Sequence, residues 1–372
     1  MENIRNMDKV SSYQIVLLLT IYRVITALTY LPIINVPPGN QDMWIVFLLS
    51  IVYTIIFCIP ILYLSNKFNS LNLIGYAEQI MGKVLGKIIG MFYAIVLFLA
   101  LNFFAASLIE IINITLFPQT STYMTISIIL GTCIYIVYKG FKNISRLGEI
   151  TNPIILIAIF LFIVLGFADY KPEEILPILA DSTFKDINIG AINIALRFSE
   201  IMILAMATPY LRIKEDLNKI FFKSLIYSMG INICIVIAVQ MSLGIEFARH
   251  INFPFMTFTR LVNLGQTIQG FESLYIISWI MGNVVKISGY LYFTTIAIKE
   301  VTGKDNQNFI IPVSLAIFIA VLLIKDKRAI LATFESTQRI ILILSFIAII
   351  VIPSIMLIVY LFRRKSLGKG NE

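Results

Sequence analysis

What most limits this chain is a succession of apolar runs, each long enough to cross a lipid bilayer. A span needs about 20 apolar residues to cover a hydrocarbon core roughly 30 Å thick. About ten such runs can be marked, at roughly 11–34, 43–64, 86–116, 122–139, 150–168, 188–210, 220–245, 273–299, 309–325 and 337–362. With 59% apolar and 13% charged residues, the chain cannot surround that much apolar surface with a water-facing shell. The expectation is an all-α membrane protein of about ten transmembrane helices, a single transmembrane domain over 1–372 whose solvent is the lipid bilayer. The first run has a mildly basic lead and no small-residue cleavage site, so it reads as a retained span and not a signal peptide.

The formal net charge is +8, and its placement decides its meaning. Most Lys and Arg sit in short connections between apolar runs, which is topogenic, whereas a nucleic-acid footprint would need a basic face on a soluble domain. With the N-terminus inside, 18 Lys and Arg fall on the inner side and eight on the outer, leaving Arg23, Arg197 and Lys286 within spans. Both termini are therefore expected in the cytoplasm. The cluster from Lys325 to Arg328 runs against this rule. Cys58, Cys133 and Cys234 lie in apolar runs without CxxC spacing, and His250 is the single histidine, so neither a disulfide framework, a metal site nor a cofactor is indicated. No Walker loop, HExxH or GxSxG motif points to an enzyme.

The stretch from Asn188 to Arg212 holds the strongest functional signal. It has the apolarity of a span, yet carries Arg197, Ser199 and Glu200 near its middle and Pro209 toward its end. A charge at the bilayer centre costs roughly 2.5–3.5 kcal/mol on insertion scales and usually faces a cavity or a partner. Two readings stand: an Arg197–Glu200 pair on one helix face, or a broken helix whose backbone and carboxylate line a site.

Other polar residues fall at comparable depth. Span one carries Arg23, then Thr26, Thr29, Tyr30 and Pro32, so its second half is either partly unwound or simply kinked. Asn102 and Glu110 lie along span three, and Asn283 and Lys286 in span eight; Glu200 is the candidate partner for Lys286. The segment LIGYAEQIMGKVLGKIIG predicts a surface helix running into span three, with Gly82, Gly86 and Gly90 on one packing stripe. KGFKNISRLGEITNP reads as a basic loop, with Pro153 opening span five. ADYKPEEILPILADSTFKDINIG reads as a water-exposed connection. In FPFMTFTRLVNLGQ, the residues Phe255, Phe258, Leu261 and Val262 predict one apolar face of a short helix, as a lid or a cap.

Seven segments in this order resemble one family: PGNQDMWI, LIGYAEQIMGKVLGKIIGMFY, RLGEITNP, ILPILADS, FSE, FPFMTFTRL and WIMGNVVKISGYLY. The chain is similar to the B subunits of Ger-type spore germinant receptors, a branch of the amino acid–polyamine–organocation transporter superfamily. The resemblance implies two inverted five-helix repeats, about 11–168 and 188–362, in a LeuT-like, amino acid permease-like fold with spans one and six broken. It further implies a small-molecule germinant, commonly an amino acid, sensed in the spore inner membrane with a membrane A subunit and a lipoprotein C subunit. The chain departs from the family where it reads TALTYLP in place of a glycine-containing turn, and FSE in place of FGE. The expected ligand-binding residues are Thr26, Thr29, Tyr30, Asn102, Phe198, Ser199, Glu200, Asn283 and Lys286, with freed span-one amides meeting a carboxylate and Glu200 an ammonium. The alternative function is a secondary amino acid transporter coupled to protons or ions.

Overall fold

A computed structural model describes residues 9–31, 36–251, 253–262, 272–323 and 340–367. Pro32, the Lys325–Arg328 cluster, residues 263–266 of the outer segment and the facing ends of the ninth and tenth expected spans lie outside these residues. The helices in chain order are α1 (Ser12–Thr29), α2 (Met43–Lys67), α3 (Leu73–Met81), α4 (Lys83–Ile111), α5 (Thr122–Tyr138), α6 (Phe141–Leu165), α7 (Phe184–Leu196), α8 (Glu200–Ala207), α9 (Leu217–Leu243), α10 (Ile245–Ala248), α11 (Pro254–Leu261), α12 (Glu272–Thr302), α13 (Gln307–Leu323) and α14 (Ile340–Arg363). Among the described residues eight elements, counting α7–α8 as one, are long and apolar enough to cross a membrane; α5 and α13 are shorter apolar helices. The chain is a multi-pass, all-α membrane protein.

Exposure confirms which solvent the bundle meets. On α2 the exposed apolar residues are Leu48, Val52, Ile56, Ile59 and Tyr63, a stripe at helical spacing that would be untenable in water. The inside is built around α1, α8 and α12. Every residue of α8 is buried, and α12 packs against α4, α5, α6 and α1. Such a centre needs close backbones: a Cβ on Gly289 of α12 would lie 1.6 Å from the Tyr22 hydroxyl of α1.

Several expectations need correction. The helix α3 buries Leu73, Ile74, Ala77 and Ile80 of its expected apolar face, together with Tyr76, by packing on α4. Gly82 turns the chain between the two at φ 87°, and Gly86 lets α4 lie against the Glu78 backbone, where a Cβ would come within 2.3 Å. The basic segment before Pro153 is the start of α6, since Phe141, Ile144, Ser145 and Gly148 recur at helical spacing and are buried. In α11, Phe255 and Phe258 are buried, as is Val262 just after it, but Leu261 is 47% exposed, at the edge of that face.

Two sets of contacts tie the ends of the bundle. On the face carrying the chain's start, Val10 forms a parallel bridge with Leu211, Lys9 Nζ donates to the Pro209 carbonyl at 2.8 Å, and Ser12 Oγ donates to Asp216 at 2.8 Å. On the far face, PGNQDMWI clamps ILPILADS. Asp42 accepts from the Leu179 amide at 2.9 Å and from Ser182 Oγ at 2.5 Å, while Gln41 Nε2 donates to the Pro177 carbonyl at 3.0 Å and to Asp181 at 2.8 Å. The expected tight turn and exposed loop are thus halves of one polar clamp.

Candidate functional site

The central span is broken, and the reason lies in α1. Arg23 Nη2 donates to the Ile194 carbonyl at 2.8 Å, occupying the acceptor that a continuous helix would offer to Phe198. The Phe198 amide turns back to Ala195 instead, at 3.1 Å, and the Arg197 amide to Ile194 at 3.2 Å. The ladder stops at Leu196 and restarts at Glu200. Neither proline nor glycine stands at Arg197–Phe198–Ser199; the break falls where Arg23 of the neighbouring helix bonds Ile194.

Across this break three charges meet. Arg23 Nη1 lies 3.9 Å from Glu200 Oε2, and Lys286 Nζ lies 3.7 Å from Glu200 Oε1, all three side chains being almost fully buried. The break removes the helical geometry that would pair Arg197 with Glu200, so that reading is replaced by pairs formed with α1 and α12. Lys286 also donates to the Tyr22 carbonyl at 2.8 Å and to Thr26 Oγ1, with its ammonium 3.7 Å from the Phe104 ring centroid. Arg23 lies 5.2 Å over the Phe198 ring. One carboxylate therefore serves two cations, which carbonyl, hydroxyl and π contacts help to satisfy in a dry interior.

Above this cluster lies an open-mouthed cavity. It is lined by Thr26 and Tyr30 of α1, Ala100, Phe103 and Phe104 of α4, Arg197 and Ser199 at the break, and Ile341, Leu342 and Ser345 of α14. Ser199 shares a 3.0 Å hydrogen bond with Tyr290.

The expected site residues divide accordingly. Thr26, Tyr30 and Ser199 line the cavity; Glu200 and Lys286 form the charge cluster behind Thr26. Phe198 packs edge-on against Phe221. Thr29 accepts from Trp279 Nε1 at 2.9 Å, and Asn283 donates to the carbonyl of Trp279 on its own helix at 3.0 Å. Asn102 lies away from the lining, one residue from Phe103 and so about 100° around α4; its Oδ1 is buried without a hydrogen-bond partner among the described residues. As far as Tyr30, the freed amides expected in span one are not there. The helix α1 stays intact to Thr29, with Tyr30 N bonded to Thr26 O at 2.9 Å, and the Thr26 and Thr29 hydroxyls bond back to carbonyls within it. Sequence reasoning did not assign Phe103, Phe104, Ile341, Leu342 or Ser345, which sit in plainly apolar runs with no local signal.

A membrane-embedded helix interrupted beside buried charges, with a cavity at the interruption, defines a membrane protein of permease type. The chain belongs to the spore germination protein family, a family of spore permeases whose profile matches residues 9–330. It is 24% identical over 287 residues to spore germination protein GerQB of Bacillus cereus, covering 76% of this chain and 77% of that one. It is 20% identical over 296 residues to spore germination protein KB of Bacillus subtilis (strain 168), covering 76% and 78%. With spore germination protein A2 of the same organism it shares 21% identity over 338 residues, 89% of each chain.

Proposed function

We propose that this chain is a B-type germinant receptor subunit that binds a small germinant, an amino acid, in the cavity at the helix break. Its occupancy is passed to partner subunits, a membrane A subunit and a lipoprotein C subunit, in the spore inner membrane. Both termini lie in the cytoplasm, and ten spans form two inverted five-helix repeats, about 11–168 and 188–362. The observation that carries this reading is the cavity itself: a cationic and hydroxyl end made by Arg197 and Ser199, and an apolar wall made by Ala100, Phe103, Phe104, Ile341 and Leu342. The first suits a carboxylate, the second an apolar side chain.

The test is ligand-dependent thermal stabilisation of the purified chain across the common amino acids. At a hundred times its dissociation constant a ligand adds about 2.7 kcal/mol. A shift with one or a few amino acids, abolished by Ala100→Leu, which fills the cavity wall, supports the reading; a panel without any shift counts against it.

A second reading is a secondary permease that moves an amino acid with a proton or ion. The family's description as spore permeases favours it. Accumulation of labelled amino acid in vesicles containing this chain alone would establish transport.

A further inference from the structure

The cavity has a cationic end but no acidic group among its described lining residues. Glu200, the obvious partner for a ligand ammonium, already faces Arg23 and Lys286. Another carboxylate stands nearby. Ala100, Phe103, Phe104, Ser107 and Glu110 recur at three- and four-residue spacing and so share one stripe of α4, the stripe that forms the cavity wall. Side chains on a helix lean toward its N-terminus, so Glu110 leans back along α4 toward Phe103 and Phe104.

Two further observations set Glu110 apart. Glu110 Oε2 is buried with no hydrogen-bond partner among the described residues. A buried carboxylate oxygen left unmatched costs free energy that a donor from a ligand would recover. Immediately beyond Glu110, α4 widens into a π turn over Ile112–Leu116, a distortion frequent at functional sites.

We propose that Glu110 receives the ammonium group of the ligand at the end of the cavity toward the far face, and so makes the site selective for amino acids over their deaminated analogues. The assignment rests on the ligand reading given above and deepens it. Its substrate class is a zwitterion with an apolar side chain.

The experiment compares L-valine, L-leucine and L-phenylalanine with the matching 2-hydroxy acids, in which hydroxyl replaces ammonium. Affinities are read from thermal stabilisation of the full chain. In the unaltered protein the preferred amino acid binds about tenfold or more tighter than its hydroxy acid, as a charge-assisted hydrogen bond requires. Glu110→Gln brings that ratio close to one by weakening the amino acid alone, and Glu110→Asp, which keeps the charge, retains a preference. A ratio unchanged in Glu110→Gln overturns the role of Glu110 and leaves the cavity's ligand intact. If Glu110→Gln does not fold, equal affinities in Glu110→Asp and a ratio of one in the unaltered protein each overturn it as well. No stabilisation by either class of compound overturns the ligand reading, and this inference with it.

Discussion

Arg23 reaches from α1 to the carbonyl of Ile194 at 2.8 Å, and by doing so it ends α7. Removing that donor returns the acceptor to the backbone. In Arg23→Met, the Phe198 amide regains its helical partner and the break closes, so hydrogen exchange at residues 198–201 slows relative to the rest of α8. Glu200 also loses one of its two cations, and overall stability falls by about 3–5 kcal/mol, the usual cost of breaking a buried pair. Unchanged exchange at these amides would show that the break has another cause.

The charge cluster predicts an order of effects. Glu200→Gln leaves Arg23 and Lys286 buried without their shared anion, whereas Lys286→Met leaves Glu200 still paired with Arg23. Glu200→Gln therefore costs more stability, and both weaken the ligand response more than Lys185→Met, an exposed control. Thermal melts and ligand titrations of the three variants check this; equal responses would remove the cluster from the site.

Close packing of α1 on α12 gives a steric test. Gly289→Ala places a methyl group 1.6 Å from the Tyr22 hydroxyl. Forcing the helices apart costs about 1–3 kcal/mol and displaces Tyr290, whose ring lies tilted against Tyr22 at 5.8 Å and whose hydroxyl bonds Ser199. Gly131→Ala meets no atom within 4 Å and is neutral or slightly stabilising. Similar melting temperatures for the two variants would contradict this packing.

The far-face clamp makes a local prediction. Asp42→Asn leaves the Leu179 amide and the Ser182 hydroxyl without a charged acceptor, a loss of about 1.5–3 kcal/mol at the clamp. Limited proteolysis should then cut the 176–183 segment faster, while cleavage of the segment around Leu211 keeps its rate. Uniform acceleration at both would indicate global loosening instead.

Sequence made some of this legible and left the rest invisible, for physical reasons. Charges inside an apolar run announced the Arg197–Glu200 region, because burying charge in lipid is costly enough to demand an explanation. The pairing of Lys286 with Glu200 was legible for the same reason. The agent of the break was not: Arg23 acts on Ile194 across 171 positions, and no local pattern encodes that. Phe103, Phe104, Ile341 and Leu342 line a cavity using residues indistinguishable from lipid-facing ones. The two clamp segments were noticed separately, yet their hydrogen bonds exist only once α2 and α7 lie side by side.

The strap at the chain's beginning has a consequence for how the protein is made. Val10 bonds to Tyr210 and Arg212, and Ser12 waits for Asp216, 204 positions downstream. During synthesis the first helix must enter the bilayer with Arg23 unaccompanied, since neither Ile194 nor Glu200 has yet left the ribosome. This segment is thus secured only after residues 194–216 have followed it, and until then its retention depends on the apolar residues around Arg23 outweighing one uncompensated charge.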